Sequence, residues 1–189
     1  MVNRIRVFIA VALPPKTVGM IAGIEEKLKG TEGRISWVRP ENIHITMRFL
    51  GDVEEGRIDD IHHAMSNAIC GVKPFSILLG GVGAFSSLAH PRALWVGVDG
   101  VELLGTIYDR LEGELEGIGF AKERRPFYPH VTIGRVRRLA VKESMAERIK
   151  RLGVVEPVSV PVESLLLFKS DLQPSGAVHT VLREARLGE

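Results

Sequence analysis

The stretch Asn42-Ile43-His44-Ile45-Thr46-Met47-Arg48-Phe49-Leu50-Gly51 decides the reading of the fold, because its centre returns 86 residues later as His130-Val131-Thr132-Ile133. Both tetrads alternate polar and apolar residues, the pattern of a strand with one face in a core. Side chains alternate faces along a strand, so His44 and Thr46 point one way while Ile45 and Met47 point the other. His130 and Thr132 behave alike against Val131 and Ile133. Two such strands facing one groove would gather two imidazoles and two hydroxyls around one small group.

That set suits phosphoester cleavage without a metal. Imidazole titrates at about pH 6.5, so one histidine can take a proton while the other gives one. The hydroxyls can donate to non-bridging phosphoryl oxygens and hold phosphorus between base and acid. The alternative, polar side chains satisfied within a sheet, fits one tetrad better than a symmetric pair.

Outward from the tetrads the chain alternates strands and helices. Ile5 to Leu13 reads as a buried strand closed by Pro14-Pro15, and Val18, Ile21, Ile24 and Leu28 as a helical stripe ending at Gly30. Ser36 to Arg39 is short and extended, and Ile43 to Leu50 is the strand of the first tetrad. Asp52 with Glu55 predicts a capping box opening a helix on Ile58, Ile61, Met65, Ala68 and Ile69. Phe75–Leu79 and Ala93–Val98 read as strands around a Gly- and Ser-rich loop. Leu104 to Ile118 carries a third helical stripe, and His130–Val136 is the strand of the second tetrad. Val141, Met145, Ile149 and Leu152 mark a fourth helix. Two strands, Glu163–Phe168 and Ala177–Leu182, close the chain around Pro174-Ser175-Gly176. Consecutive strands between helices favour α+β with antiparallel pairing over a doubly wound sheet. No low-complexity linker divides residues 1–189, which read as one domain.

Composition excludes several classes. The chain has 189 residues, 45% hydrophobic and 25% charged, ordinary for a globular protein and unlike a disordered chain or a fibre. No apolar run reaches the ~20 residues of a membrane span. Arg4 and Arg6 before Val7–Leu13 faintly resemble a signal peptide, but the run is short and lacks a small-x-small site, so a strand fits better. A single cysteine, Cys70, favours a reducing compartment and a cytoplasmic setting. Only four Asn and Gln residues (Asn3, Asn42, Asn67, Gln173) hint at a hot-growing source.

Charge is uneven. Residues 121–151 hold ten basic groups against three acidic ones, a net +7 that leaves −5 for the rest of a chain totalling +2. A local basic surface on a nearly neutral protein suits a polyanion. Lys142 to Arg151 read equally well as a solvated helix face, whereas Arg124, Arg125 and Arg135 bracket the second tetrad. His62 and His63 lie on a helix without enough neighbouring ligands for zinc, and His90 reads as loop.

The paired tetrads resemble those of the two-histidine phosphoesterases, and specifically the RNA 2′,3′-cyclic phosphodiesterases, also called 2′-5′ RNA ligases. The likeness extends over Arg6 to Ala10 with Leu13-Pro14, Trp37 with Pro40, Asn42 to Gly51, Pro91-Arg92 with Leu94-Trp95, Pro126-Phe127 with Pro129 to Arg135, and Leu166 to Ser170. It implies a bilobal α+β fold, two pseudo-symmetric lobes with antiparallel sheets lining a central cleft and helices outside. It implies that His44 gives a proton to the leaving ribose oxygen, that His130 activates water, and that Thr46 and Thr132 bind the phosphate. The product would carry a 2′-phosphate, no metal or other cofactor would be needed, and the reverse reaction would form a 2′-5′ bond. Partners would be RNA ends or nucleotides bearing a 2′,3′-cyclic phosphate, with no membrane and no obligate protein partner.

Arg135 matches an arginine that the family places near the phosphate. Strict alternation from His130 would turn it toward the core, and a bulge at Gly134 would re-aim it. Arg48 shares the face of His44 and Thr46 by alternation, and reads as an RNA contact or a solvated rim charge. Phe8 and Phe127 read first as core and second as stacking partners for a base. His179 stands where relatives often have Tyr. Two rival readings remain: the same chemistry on 2′,5′-linked oligonucleotides or other cyclic phosphates, and a nucleotide- or RNA-binding module without turnover.

Overall fold

The computed structural model describes residues 3–29, 33–139, 145–174 and 176–188. Gly30, Val141, Lys142 and Ser175, which figure in the sequence expectations, lie outside them. Nine strands are described: β1 (Arg4–Ala12), β2 (Gly33–Trp37), β3 (His44–Glu54), β4 (Phe75–Phe85), β5 (Ala93–Asp99), β6 (His130–Leu139), β7 (Val158–Val162), β8 (Ser164–Gln173) and β9 (Gly176–Arg186). The helices are α1 (Pro15–Leu28), α2 (Ile58–Ile69), α3 (Glu102–Gly117) and α4 (Met145–Leu152), with short 3₁₀ turns at Pro40–Asn42 and Glu55–Arg57.

The strands form one antiparallel sheet in the order β7-β4-β5-β6-β3-β1-β8-β9, with β2 paired to β6. The seam between β6 and β3 divides it into β7-β4-β5-β6, with β2, on one side and β3-β1-β8-β9 on the other. That seam rests on the Ile45–Val131 register, the central positions of the two tetrads. The sheet curls into a half-barrel with the helices outside, the α+β cleft architecture the sequence predicts. α2 packs against α3 and β9, and α1 against α4. Val7 to Val11 are all buried, which suits β1 as the central strand of its half: Val7, Ile9 and Val11 face the helices while Phe8 and Ala10 floor the groove.

Local sequence explains most elements. Pro15 opens α1, where a missing N–H costs nothing. The apolar stripe of α2 is buried at Ile58, Ile61, Met65, Ala68 and Ile69 as expected. The expected capping box is not formed. Asp52 stays in β3 opposite Arg6, the long ladder with β1 outcompeting a local cap, and α2 begins after Arg57 with no side-chain cap. Two stretches extend further than periodicity suggests. β4 runs through its glycines to Phe85, because Gly83 lies under the Trp95 ring, where an added Cβ would clash with it. β7, unforeseen as a strand, is an edge strand, the sheet position that tolerates Pro161. Among the described residues no helix is long and apolar enough to cross a membrane.

Candidate active site

The single register Ile45–Val131 places both tetrads side by side. Ile45 and Val131 are fully buried on the helix face, so His44, Thr46, His130 and Thr132 turn to the groove. Extending the antiparallel register by one residue sets His44 opposite Thr132 and His130 opposite Thr46.

Both imidazoles are held alike. His44 Nδ1 lies 2.7 Å from the carbonyl of Asn42, and His130 Nδ1 lies 2.7 Å from the carbonyl of Tyr128. A carbonyl only accepts, so in each neutral ring Nδ1 carries the hydrogen and Nε2 keeps a free lone pair. His44 Nε2 is 3.0 Å from Thr46 Oγ1, which donates to it in that state. Asn42 is itself fixed, its side-chain amide donating to Ala177 O of β9 at 2.8 Å.

Aromatic walls flank each ring. Phe8 lies 4.8 Å from both His44 and His179, and stacks on Phe168 at 5.2 Å. His179 meets His44 edge-on at 5.5 Å. On the other side Phe85 meets His130 edge-on at 4.6 Å, with Trp95 and Tyr128 behind. Burial among these rings pushes the His44 imidazolium down to about 4; the Asn42 carbonyl opposes this, while His179 and His130 reinforce it. His130 is lowered too, again chiefly by burial, with the Tyr128 carbonyl opposing and Arg135 adding to the effect. Burial lowers His179 too.

Backbone bulges decide what else reaches the groove. In β6, Trp95 pairs with Thr132 and Leu94 with Gly134, so Ile133 is an extra residue. The shift returns Arg135 to the groove face, where it is exposed. Gly134 fits because an added Cβ would press on Ile35 and Trp37 at 3.1 Å. β3 has the matching shift at Met47: Ala10 pairs with Thr46 and Ile9 with Arg48. Arg48 therefore leaves the face of His44, contrary to strict alternation, and Phe49 takes its place, 5.6 Å from Phe8.

Arg48 is neither a solvated rim charge nor open to a ligand. Its guanidinium pairs with Glu112 at 2.5 Å, side chains only 11% and 9% exposed. It also donates to the carbonyls of Phe49 and Ala121 and lies 3.6 Å from Glu123. Phe127 stacks flat on Tyr108 of α3 at 4.2 Å, a packing role away from the groove. Phe8 is 2% exposed and floors the groove, too covered to stack on a base. The rings with open faces are Phe49 and Tyr128, 54% and 55% exposed.

A family model described as the 2′-5′ RNA ligase superfamily matches residues 22–174. The chain belongs to this superfamily. A relative from Methanothermobacter thermautotrophicus, named RNA 2′,3′-cyclic phosphodiesterase, is 33% identical over 97% of this chain and 100% of its own length. A relative of the same name from Thermotoga maritima is 34% identical over 96% of this chain and 95% of its own. Among solved structures, a protein of Thermus thermophilus superposes with a TM-score of 0.80 at 26% identity, covering 96% of this chain and 97% of its own. Escherichia coli LigT complexed with 3′-AMP shares the fold, with a TM-score of 0.77 at 21% identity over 99% of this chain and 100% of its own.

Within this superfamily member, sequence reasoning missed several groove residues. Phe168, Phe85 and Tyr128 are placed by strand pairing that no local pattern encodes. His179, read from sequence as outside the chemistry, touches the His44 ring. One signal was present: Asn42 and Tyr128 each stand two residues before a tetrad histidine. It goes unread because the interaction uses a backbone carbonyl, which every residue type supplies.

Proposed function

We propose that the protein hydrolyses RNA or nucleotide 2′,3′-cyclic phosphate ends to the 2′-phosphate, using His44 and His130 as a proton-transfer pair. One observation carries the reading: two imidazoles on adjacent strands, each with Nδ1–H held by a carbonyl and Nε2 turned to the same groove. The printed names of the relatives support the substrate class. The reading treats residues 1–189 as one domain whose lobes each supply a tetrad, acting in a reducing, cytoplasmic setting that unpaired Cys70 suits.

In this mechanism the cyclic phosphate sits between the imidazoles, with Thr46, Thr132 and Arg135 donating to its non-bridging oxygens. His130 Nε2 takes a proton from water as its oxygen bonds to phosphorus. The P–O3′ bond breaks, and O3′ receives the proton of His44 Nε2, leaving a 3′-hydroxyl and a 2′-phosphate. With a 5′-hydroxyl in place of water, its oxygen bonds to the same phosphorus as His130 takes its proton, the P–O3′ bond breaks with O3′ protonated by His44, and a 2′-5′ linkage results. Burial keeps both rings neutral near pH 7 in the free protein, so His44 becomes a donor only when the bound anion stabilises its charged form. The exposed rings of Phe49 and Tyr128 offer faces for a base.

His44→Ala and His130→Ala should each lower turnover of a nucleoside 2′,3′-cyclic phosphate by ~10²–10⁴-fold with the far-UV spectrum unchanged. Wild-type rates in either folded variant would remove the proton-transfer pair. Wild-type binding of cyclic nucleotide with no turnover would favour the binding-module reading.

A further inference from the structure

The carbonyl of Tyr128 holds His130, and its ring takes no part in that bond. Phe127 beside it stacks on Tyr108 and anchors the segment on α3. The Tyr128 ring turns into the groove instead, where it meets Phe85 at 5.9 Å and Trp95 at 5.6 Å, both edge-on, and lies 6.4 Å from the His130 ring. Those supports are themselves fixed. Trp95 covers Gly83, where an added Cβ would collide with the indole, and Phe85 contacts Trp95 at 5.8 Å and His130 at 4.6 Å. Tyr128 nevertheless stays 55% exposed. A ring held on one side and open on the other receives a flat partner at little entropic cost.

Its place in the groove says which partner. In-line displacement puts the entering and leaving oxygens on opposite sides of phosphorus. O3′ leaves toward His44 in the mechanism above. The ribose and base of the cyclic end therefore occupy the half formed by β3, β1, β8 and β9, where Phe49 is the open ring. The entering oxygen lies at His130, in the other half. Nothing follows that oxygen when it belongs to water, whereas a second nucleoside follows it when it is a 5′-hydroxyl. Proton transfer needs this O5′ within ~2.6–3.2 Å of His130 Nε2. That brings the second base within reach of the ring next to the imidazole, and among the described residues no other ring of this half is as open as Tyr128.

We infer that the Tyr128 ring is a stacking platform for the base of a second nucleoside, the one joined to phosphorus through O5′. The inference rests on the phosphodiesterase reading and adds a specificity-determining residue for 2′-5′ diesters. On such a diester the ligation step runs backward. His44 takes the O3′ proton as O3′ bonds to phosphorus, the P–O5′ bond breaks, and O5′ leaves with the proton of His130. The products are the cyclic phosphate and a free 5′-hydroxyl. Every base has a π-face, so the platform requires a base without selecting which one.

The test uses two 2′-5′-linked diribonucleotides that differ only in the 5′-linked residue, adenosine in one and an abasic ribose in the other. Both leave through the same O5′, and release of the cyclic phosphate is the readout. Wild-type protein should cleave the adenosine dinucleotide ~5–150-fold better in kcat/KM, chiefly through KM, the preference one base–aromatic stack supplies. Y128F should keep this preference and Y128A should abolish it. The ratio is taken within each variant, so any disturbance of His130 cancels. If Y128A does not fold, Y128L decides, because it keeps apolar bulk against Phe85 and Trp95 and lacks a ring. Equal wild-type cleavage of both dinucleotides, or a preference that survives loss of the ring, would overturn the platform. So would a ringless variant that loses discrimination at the O3′ nucleoside instead, which would place Tyr128 with the Phe49 base. Wild-type protein that hydrolyses a nucleoside 2′,3′-cyclic phosphate yet cleaves neither dinucleotide overturns the platform alone. Absent hydrolysis of the cyclic phosphate would defeat the phosphodiesterase reading, and the platform with it.

Discussion

At the scale of single residues, the chemistry depends on where each imidazole keeps its hydrogen and how easily it takes a second. The carbonyls of Asn42 and Tyr128 fix Nδ1–H, leaving Nε2 as the reacting atom in both rings. Burial then lowers both pKa values, His44 to about 4 and His130 in the same direction. An acid–base pair needs one ring charged and one neutral, so the active form of the free protein peaks between its two apparent pKa values. The maximum of kcat/KM should therefore lie below pH 6.5, with rates falling toward neutrality as the last imidazolium is lost. The kcat profile should sit at higher pH, because a bound phosphate anion raises both values. Initial-rate measurements at low and saturating cyclic nucleotide check this, and a kcat/KM maximum above pH 7 would refute it. His179 belongs to the same account, since its charge, when present, further disfavours the His44 imidazolium.

At the scale of elements, the two halves of the sheet use the same device to different ends. A one-residue shift falls on the last residue of each tetrad, turning Phe49 to the groove in β3 and Arg135 in β6. The displaced Arg48 then fastens β3 to Glu112 of α3, while Glu112 also accepts the Glu123 N–H at 2.8 Å. This bolt secures the approach to His130 from its partner strand. Removing one member of a buried pair strands the other charge, at a cost of ~3–5 kcal/mol. Arg48→Met should thus lower the melting temperature by on the order of 10 °C, with the double R48M/E112L protein recovering most of it. A loss under 2 °C by calorimetry in the single variant would mean the pair holds nothing in place. The same shifts mark the limit of sequence reading. Helical stripes and strand alternation are local, and they located α1, α2, α3 and both tetrads. Arg48 was misplaced because a bulge inverts every face beyond it, and a bulge depends on the partner strand. Gly134 betrayed one such shift through its missing side chain, whereas Met47 carries no comparable mark.

At the scale of the whole molecule, occupancy of the groove and folding stability are linked. A histidine whose pKa is about 4 folded and about 6.5 unfolded binds protons preferentially in the unfolded chain. Its contribution to stability is therefore full above about pH 6.5 and is lost as pH falls toward 4. Glu25 in α1 works in the opposite direction: burial raises it to about 7, so its contribution is full below the ordinary carboxylate range and fades as pH rises through neutrality. These trends oppose each other in the raw melting curve, but only the histidines face the groove. An anion bound there favours their charged forms, so binding takes up protons and strengthens as pH falls. Sulfate keeps its two charges from pH 5 to 7.5, which assigns any pH dependence to the protein. Saturating sulfate near 100 times its Kd stabilises by ~2.7 kcal/mol, a rise of roughly 5–10 °C for a chain of this size. The rise should be larger at pH 5 than at 7.5. In H44A/H130A protein it should shrink at both pH values to the same small increment, the general effect of an excluded salt. A sulfate shift independent of pH in the wild type would show that the two imidazoles do not share one anion site across the Ile45–Val131 seam.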